Sequence, residues 1–281
     1  MEAWKDRTMG KWVPEVDRDA LGKEWPWVTA KYPLHRAYAE ASVEEILGDS
    51  AKSARVLEAN WLETTVFLNR GKQFDVARLP MEAQWSPGFG VNVVDFDGDG
   101  NEDVFVSQNI FAVPGRTSRS DAGRGLVLRG NGRGGFEAMT GQESGVRVYG
   151  EQRGSAVGDY DGDGRVDLVV SQNGGETKLY RNEGGKMGLR VRLKGPGNNP
   201  EGIGAVIRMG TGDGKWGAAR EVHAGSGYWS MDSVVMVMGR PEGTRKIGVR
   251  WPGKGNWVES EVPEGAREVV VHPDGTVETK R

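Results

Sequence analysis

Two copies of one acidic pattern, 64 residues apart, constrain this chain of 281 residues more than any other feature. Asp95-Phe96-Asp97-Gly98-Asp99-Gly100-Asn101-Glu102-Asp103 returns as Asp159-Tyr160-Asp161-Gly162-Asp163-Gly164-Arg165-Val166-Asp167, and the register holds from 91–109 to 155–173. In each copy four Asp occupy positions 1, 3, 5 and 9 of a nine-residue run. Carboxylates this close repel one another, and alternate side chains converge only where the backbone coils around something positive. Oxygen-only ligation with no His or Cys nearby selects a hard cation. Crowded carboxylates on a flexible loop favour calcium over the stricter octahedron of magnesium. Gly98, Gly100, Gly162 and Gly164 supply the turn, and Gly100 and Gly164, at position 6, are expected at positive φ.

The helical calcium loop of an EF-hand requires a Glu at position 12, where this chain has Val106 and Val170. The apolar, β-branched residues after position 9 open each loop into a strand. Asp103 and Asp167 are therefore expected to close the sites, with the backbone carbonyls of Asn101 and Arg165 as further ligands. This puts Asp95, Asp97, Asp99, Asn101 and Asp103 around one calcium ion and Asp159, Asp161, Asp163, Arg165 and Asp167 around a second. Glu102 reads as a solvated neighbour. The alternative is a pair of metal-free Asp-Gly hairpins, against which stands the retention of every carboxylate in both copies.

A weaker element recurs around the acidic pattern: Val66–Gly71 with Phe74, Leu126–Gly132 with Phe136, and Lys178–Gly184. Each reads as a strand running into an Asn/Gly turn. Units of this length with several short strands have the size of propeller blades. Residues 61–186 thus hold two blade-like units and at most a partial third.

The flanks differ. Residues 1–60 are rich in Trp and Pro at first and then, over Ala37–Ala59, poor in Gly and rich in Ala and Glu. That second half reads as helix, started by a capping box at Ser42-Val43-Glu44-Glu45 and stopped at Gly48. Residues 187–281 read as a small antiparallel β-sandwich or barrel of about seven strands: Leu189–Leu193, Ala205–Met209, Ala219–His223, Val234–Met238, Ile247–Trp251, Trp257–Val262 and Glu268–His272. The fold class is mainly β, with partial propeller-like blades, this second β region and a short helical N-terminal segment.

Composition removes several functions. The net charge of −3 provides no basic field for nucleic acid, and no apolar run approaches the ~20 residues of a bilayer span, so membrane insertion is not expected. The charged start Met1-Glu2-Ala3-Trp4-Lys5-Asp6-Arg7 does not read as a signal peptide. With no Cys there is neither a disulfide nor a thiolate nucleophile. Gly210–Lys215 is too short for a phosphate loop and carries Trp216 in place of Ser/Thr, so it reads as a hairpin turn. Ser226 lacks the outer glycines of a nucleophile elbow, and with only His35, His223 and His272 available a Ser-His-Asp triad would need His223 or His272 to fold back onto it. No catalytic residue and no cofactor other than the metal is assigned. Tyr228 and Trp229 read as core residues or as a binding platform.

The two Asp-x-Asp-Gly-Asp-Gly-x-x-Asp loops between apolar strands resemble FG-GAP/VCBS repeats, the blades of integrin-α-like propellers. Gly202–Ala205, Arg220–Ser230 and Val249–Gly253 are similar to the ASPIC/UnbV domain that follows such repeats. The resemblance implies a calcium-stabilised propeller, secreted or at the cell surface (extracellular or periplasmic), used for adhesion or for binding a protein or glycan partner, and not an enzyme. A closed propeller takes about four or more blades. Upstream blades, other segments of the chain or self-association are therefore expected to cover the open sheet edges. A second reading is an accessory or catalytic domain of a polysaccharide- or lipid-acting enzyme, with a groove near Tyr228, Ser230 and Asp232.

Overall fold

A computed structural model describes residues 1–113 and 117–280, which form two compact units, Met1–Leu62 and Glu63–Arg281. In the first, strands β1 (Ala3–Lys5) and β2 (Trp12–Pro14) pair antiparallel and are followed by α1 (Arg18–Glu24), α2 (Pro26–Lys31), α3 (His35–Ala39) and α4 (Val43–Leu47). Three of the four helix starts have a local cause. Asp17 caps α1 by accepting from the Ala20 N–H at 2.8 Å, and Pro26 opens α2, where its missing N–H costs nothing. At α4 the capping box forms as expected: Glu45 N–H donates to Ser42 Oγ at 3.1 Å, and Ser42 N–H to Glu45 Oε2 at 2.6 Å. Leu21, Val28, Tyr38, Ala41 and Ile46 make the core of this unit.

The stop expected at Gly48 is met. Gly48, at φ +57°, ends α4; a 3-10 turn covers Gly48–Ser53, and residues 54–62 carry no regular structure. The Trp- and Pro-rich part also contains α1 and α2, too short to show a helical period.

The second unit is mainly β, its small sheets arranged as a four-blade propeller-like ring. Hairpin β3 (Thr65–Asn69) and β4 (Phe74–Arg78) precedes a four-stranded sheet of β5 (Gly88–Val94), β6 (Asp103–Gln108), β7 (Leu126–Gly130) and β8 (Phe136–Met139). After a short helix, α5 (Gly141–Ser144), come β9 (Glu151–Gly158), β10 (Asp167–Asn173) and β11 (Gly175–Tyr180) in a three-stranded sheet. The acidic runs are the tips of hairpins β5–β6 and β9–β10, where Val94 pairs with Asp103 and Gly158 with Asp167.

Side-chain alternation explains how the sheets stack. On β6, Val104 and Val106 face Val66 and Leu79, whereas Phe105 faces Val148, Leu168 and Val170 on the other side. The sheet is buried on both faces, and truncating the fully buried Phe105 to Ala would cost about 3–5 kcal/mol. Val237 then packs on Val94 and Val166, so the acidic repeats are flanked by β3–β4 on one side and by the C-terminal strands on the other.

The C-terminal strands are β12 (Leu189–Leu193), β13 (Val206–Thr211), β14 (Trp216–Glu221), β15 (Met236–Met238), β16 (Thr244–Arg250), β17 (Val258–Glu261), β18 (Glu268–Val271) and β19 (Val277–Lys280). They form two sheets, ordered β15-β12-β18-β19 and β14-β13-β16-β17. Between them lie Leu189, Val191, Ile207, Ile247, Val249 and Trp251. Two details depart from the sequence reading. β19 is an eighth strand, and β12 pairs parallel with β18, because the chain crosses through the second sheet before it returns. The turn at Gly210–Lys215 is the expected hairpin, with Gly214 at φ +86°.

Candidate metal centre

Both acidic loops fold around their first Asp. Asp95 Oδ1 accepts from the N–H groups of Gly98 at 2.7 Å and Asp99 at 3.1 Å, and its Oδ2 from Gly100 at 2.8 Å. Asp159 repeats this with Gly162 at 2.8 Å, Asp163 at 3.0 Å and Gly164 at 2.8 Å. The tight coil depends on left-handed glycines, with Gly100 at φ +94° and Gly164 at φ +85°, as their position predicts.

The last Asp of each loop ties it to the next hairpin. Asp103 accepts from Phe96 N–H and Gly130 N–H, both at 2.9 Å; Asp167 accepts from Tyr160 N–H at 3.1 Å and Asn182 N–H at 2.8 Å. Asn101 and Arg165 donate through both backbone and side chain to the Asp at position 5. One oxygen from each of Asp95, Asp97 and Asp99 lies within 4.8 Å of the others, and so does one from each of Asp159, Asp161 and Asp167. Asp103 and Asp163 stand outside these groups, the latter 2.9 Å from Arg165 Nη1.

The electrostatics follow first from burial. Burial raises the carboxyl pKa of Asp95 and of Asp167, and pushes Asp103 up to about 6, against the pull of their N–H donors. Every converging donor is oxygen, so the residues fit a hard ion.

Several partners were not legible in the sequence. Arg181 Nε donates to Asp161 Oδ2 at 2.6 Å, Arg129 Nε stands 3.3 Å from Asp97 Oδ2, and Arg190 Nη1 donates to Asp159 Oδ2. The C-terminal segment rests directly on both loops. Lys186 N–H donates to Asp97 O at 2.9 Å, Gly188 N–H to Gly164 O at 2.8 Å, and a Cβ on Gly239 would meet Asp95 Oδ2 at 2.0 Å. Glu102 is not the solvated neighbour expected. It pairs with Arg220, whose side chain is 8% exposed and whose Nη1 also donates to Val237 O at 2.9 Å.

The other candidates resolve differently. Trp229 is 94% exposed at φ +50°, and Tyr228 meets Phe89 edge-on with ring centroids 5.8 Å apart, so neither is a fully buried core residue. Asp232 Oδ1 accepts from Asn92 Nδ2 at 2.9 Å and Val157 N–H at 2.8 Å. His223 and His272 lie 3.8 and 2.9 Å from Glu221 and Glu278, and exposed His35 lies 3.5 Å from Asp19.

Fold and loops together define a propeller-like β protein with two acidic hairpin tips held against a C-terminal β region. The ASPIC and UnbV family model matches residues 195–277, which span strands β13 to β18 and stop short of the acidic repeats. No curated protein matches the chain.

Proposed function

We propose that this chain is a non-catalytic, calcium-binding β-repeat module for adhesion or for binding a protein or glycan, the C-terminal part of a larger extracellular protein. The convergence of three carboxylates in each of two loops with the same hydrogen-bond scheme carries this reading. Asp95, Asp97, Asp99 and Asp103, with the carbonyl of Asn101, would hold one ion. Asp159, Asp161, Asp163 and Asp167, with the carbonyl of Arg165, would hold the other. Calcium supplies positive charge there and makes or breaks no bond of a substrate. Its role is to fix two hairpin tips on which the C-terminal strands rest. Exposed Tyr228 and Trp229 support a binding surface, and the match to the ASPIC and UnbV family supports a repeat-bearing extracellular protein. Among the described residues no helix is long and apolar enough to cross a membrane. Upstream blades or a second copy would cover the remaining sheet edges.

Titration calorimetry with calcium tests the reading. Two ions per chain are expected, one each after Asp95→Asn or Asp159→Asn, with weaker uptake of magnesium. No calcium uptake by the folded chain would overturn it.

A further inference from the structure

We propose that a cavity between β5, β9 and the β14–β15 segment binds a small organic cation, an alkylammonium ion, through Asp232. The cavity has a volume of about 220 Å³ and contains none of the carboxylates assigned to the ions, so it stands apart from the metal reading. Val93, Val157, Val222 and Met236 give it apolar walls suited to a short alkyl group.

Its charge sets the sign of the ligand. Glu102 and Arg220 also line it, but they neutralise each other through contacts of 2.8 and 2.9 Å. Asp232 and Glu221 remain, and among the described residues no Lys or Arg forms a salt bridge with Asp232. His223 shares the cavity and lies 3.8 Å from Glu221 at an exposed position. The wall is thus negative in surplus.

Asp232 is also held in place. Asn92 Nδ2 and the Val157 N–H both donate to its Oδ1, which anchors the carboxylate to β5 and β9. A carboxylate partly removed from water, held by neutral donors and with no Lys or Arg paired to it among the described residues, is stabilised by an incoming cation. Burial raises its pKa, against the pull of the Val157 N–H, Ser226, Asn92 and the nearby His223. An ammonium group fits the carboxylate, and its hydrocarbon tail fits the valine and methionine walls.

The test uses the full chain in calcium-containing buffer and three probes of matched size: n-butylammonium, n-butanol and butyrate. Ligand-observed NMR and calorimetry are expected to show saturable binding of n-butylammonium, at least tenfold tighter than either other probe. Asp232→Asn should weaken it at least tenfold while two calcium ions still bind, which separates this site from the loops. Val93→Trp, at a half-exposed strand position lining the cavity, should block all three probes. Equal binding of n-butanol, no saturable binding of the amine, or unchanged affinity in the folded Asp232→Asn variant would overturn the proposal. If that variant does not fold, the ratio of amine to alcohol affinity in the unaltered chain and the effect of Val93→Trp decide the matter.

Discussion

Arg220 places its Nε 2.8 and 2.9 Å from the two carboxylate oxygens of Glu102, a residue 118 positions earlier in the chain. The contact joins the first acidic hairpin to β14. Arg220 is 8% exposed at its side chain and Glu102 22%, so removing one partner strands the other. Arg220→Met is expected to cost about 2–3 kcal/mol, below the ~3–5 of a fully buried pair because Glu102 keeps some water. Glu102→Gln together with Arg220→Met should cost less than the sum of the single changes, as read from urea unfolding in a double-mutant cycle.

Chelation gives a second prediction. Ions that bind the folded state alone add stability by mass action, about 2.7 kcal/mol per site at a hundredfold excess over Kd. EDTA should lower Tm, and Asp95→Asn combined with Asp159→Asn should remove that sensitivity.

Close packing at Gly239 gives a third. A Cβ there would meet Asp95 Oδ2 at 2.0 Å and the backbone of Gly100 at 3.2 Å, and Asp95 is already fixed by three N–H groups. Gly239→Ala should therefore weaken calcium binding in the first loop and spare the second. Gly184→Ala, with nothing within 4 Å of the new methyl, should change neither. Calorimetric titration of each variant reads both outcomes.

Acid stability should depend on Glu151. Its carboxyl is held down to about 2, chiefly by the Phe111 N–H and further by Asn173, Ala112 and Arg153. A carboxyl whose pKa is depressed on folding contributes stability that is complete above its ordinary value of 4.5 and is lost as pH falls from there through about 2. Thermal melts from neutral to about pH 2 should show this loss, and Glu151→Gln should flatten that limb while lowering Tm at neutral pH.

Trp229 supplies a prediction of opposite sign. Its backbone sits in the left-handed region at φ +50°, where a side chain other than Gly is strained, yet its indole is 94% exposed. Trp229→Gly should leave stability unchanged or raise it by up to about 1 kcal/mol, measured by urea unfolding.

What was legible in the sequence was the chemistry carried by residues close in the chain. The Asp spacing and position-6 glycines foretold two coiled hairpin tips, and Ser42 with Glu45 foretold the start of α4. Contacts across long separations were not legible. Glu102 looked solvated because nothing near it announces Arg220. Arg190 lies within the expected strand Leu189–Leu193, and nothing near it announces its partner Asp159. The buried polar seam between the blades had a sequence trace in the repeated Ser-Gln-Asn after each loop, yet its bonds are tertiary: Asn109 Nδ2 donates to Gly123 O and Gly150 O, and Ser107 Oγ to Arg153 O.

The parallel pairing of β12 with β18 bears on the order in which the molecule is made. Val191 and Leu193 on β12 pair with Val269 and Val271 on β18, so this half of the sheet stays unfinished while the intervening residues leave the ribosome. Arg190 can reach Asp159 as soon as β12 emerges, but Glu268, which accepts from its Nε at 2.9 Å, arrives much later. Nascent chains therefore carry an open strand edge beside completed acidic hairpins, a period of exposure set by topology and by the speed of translation.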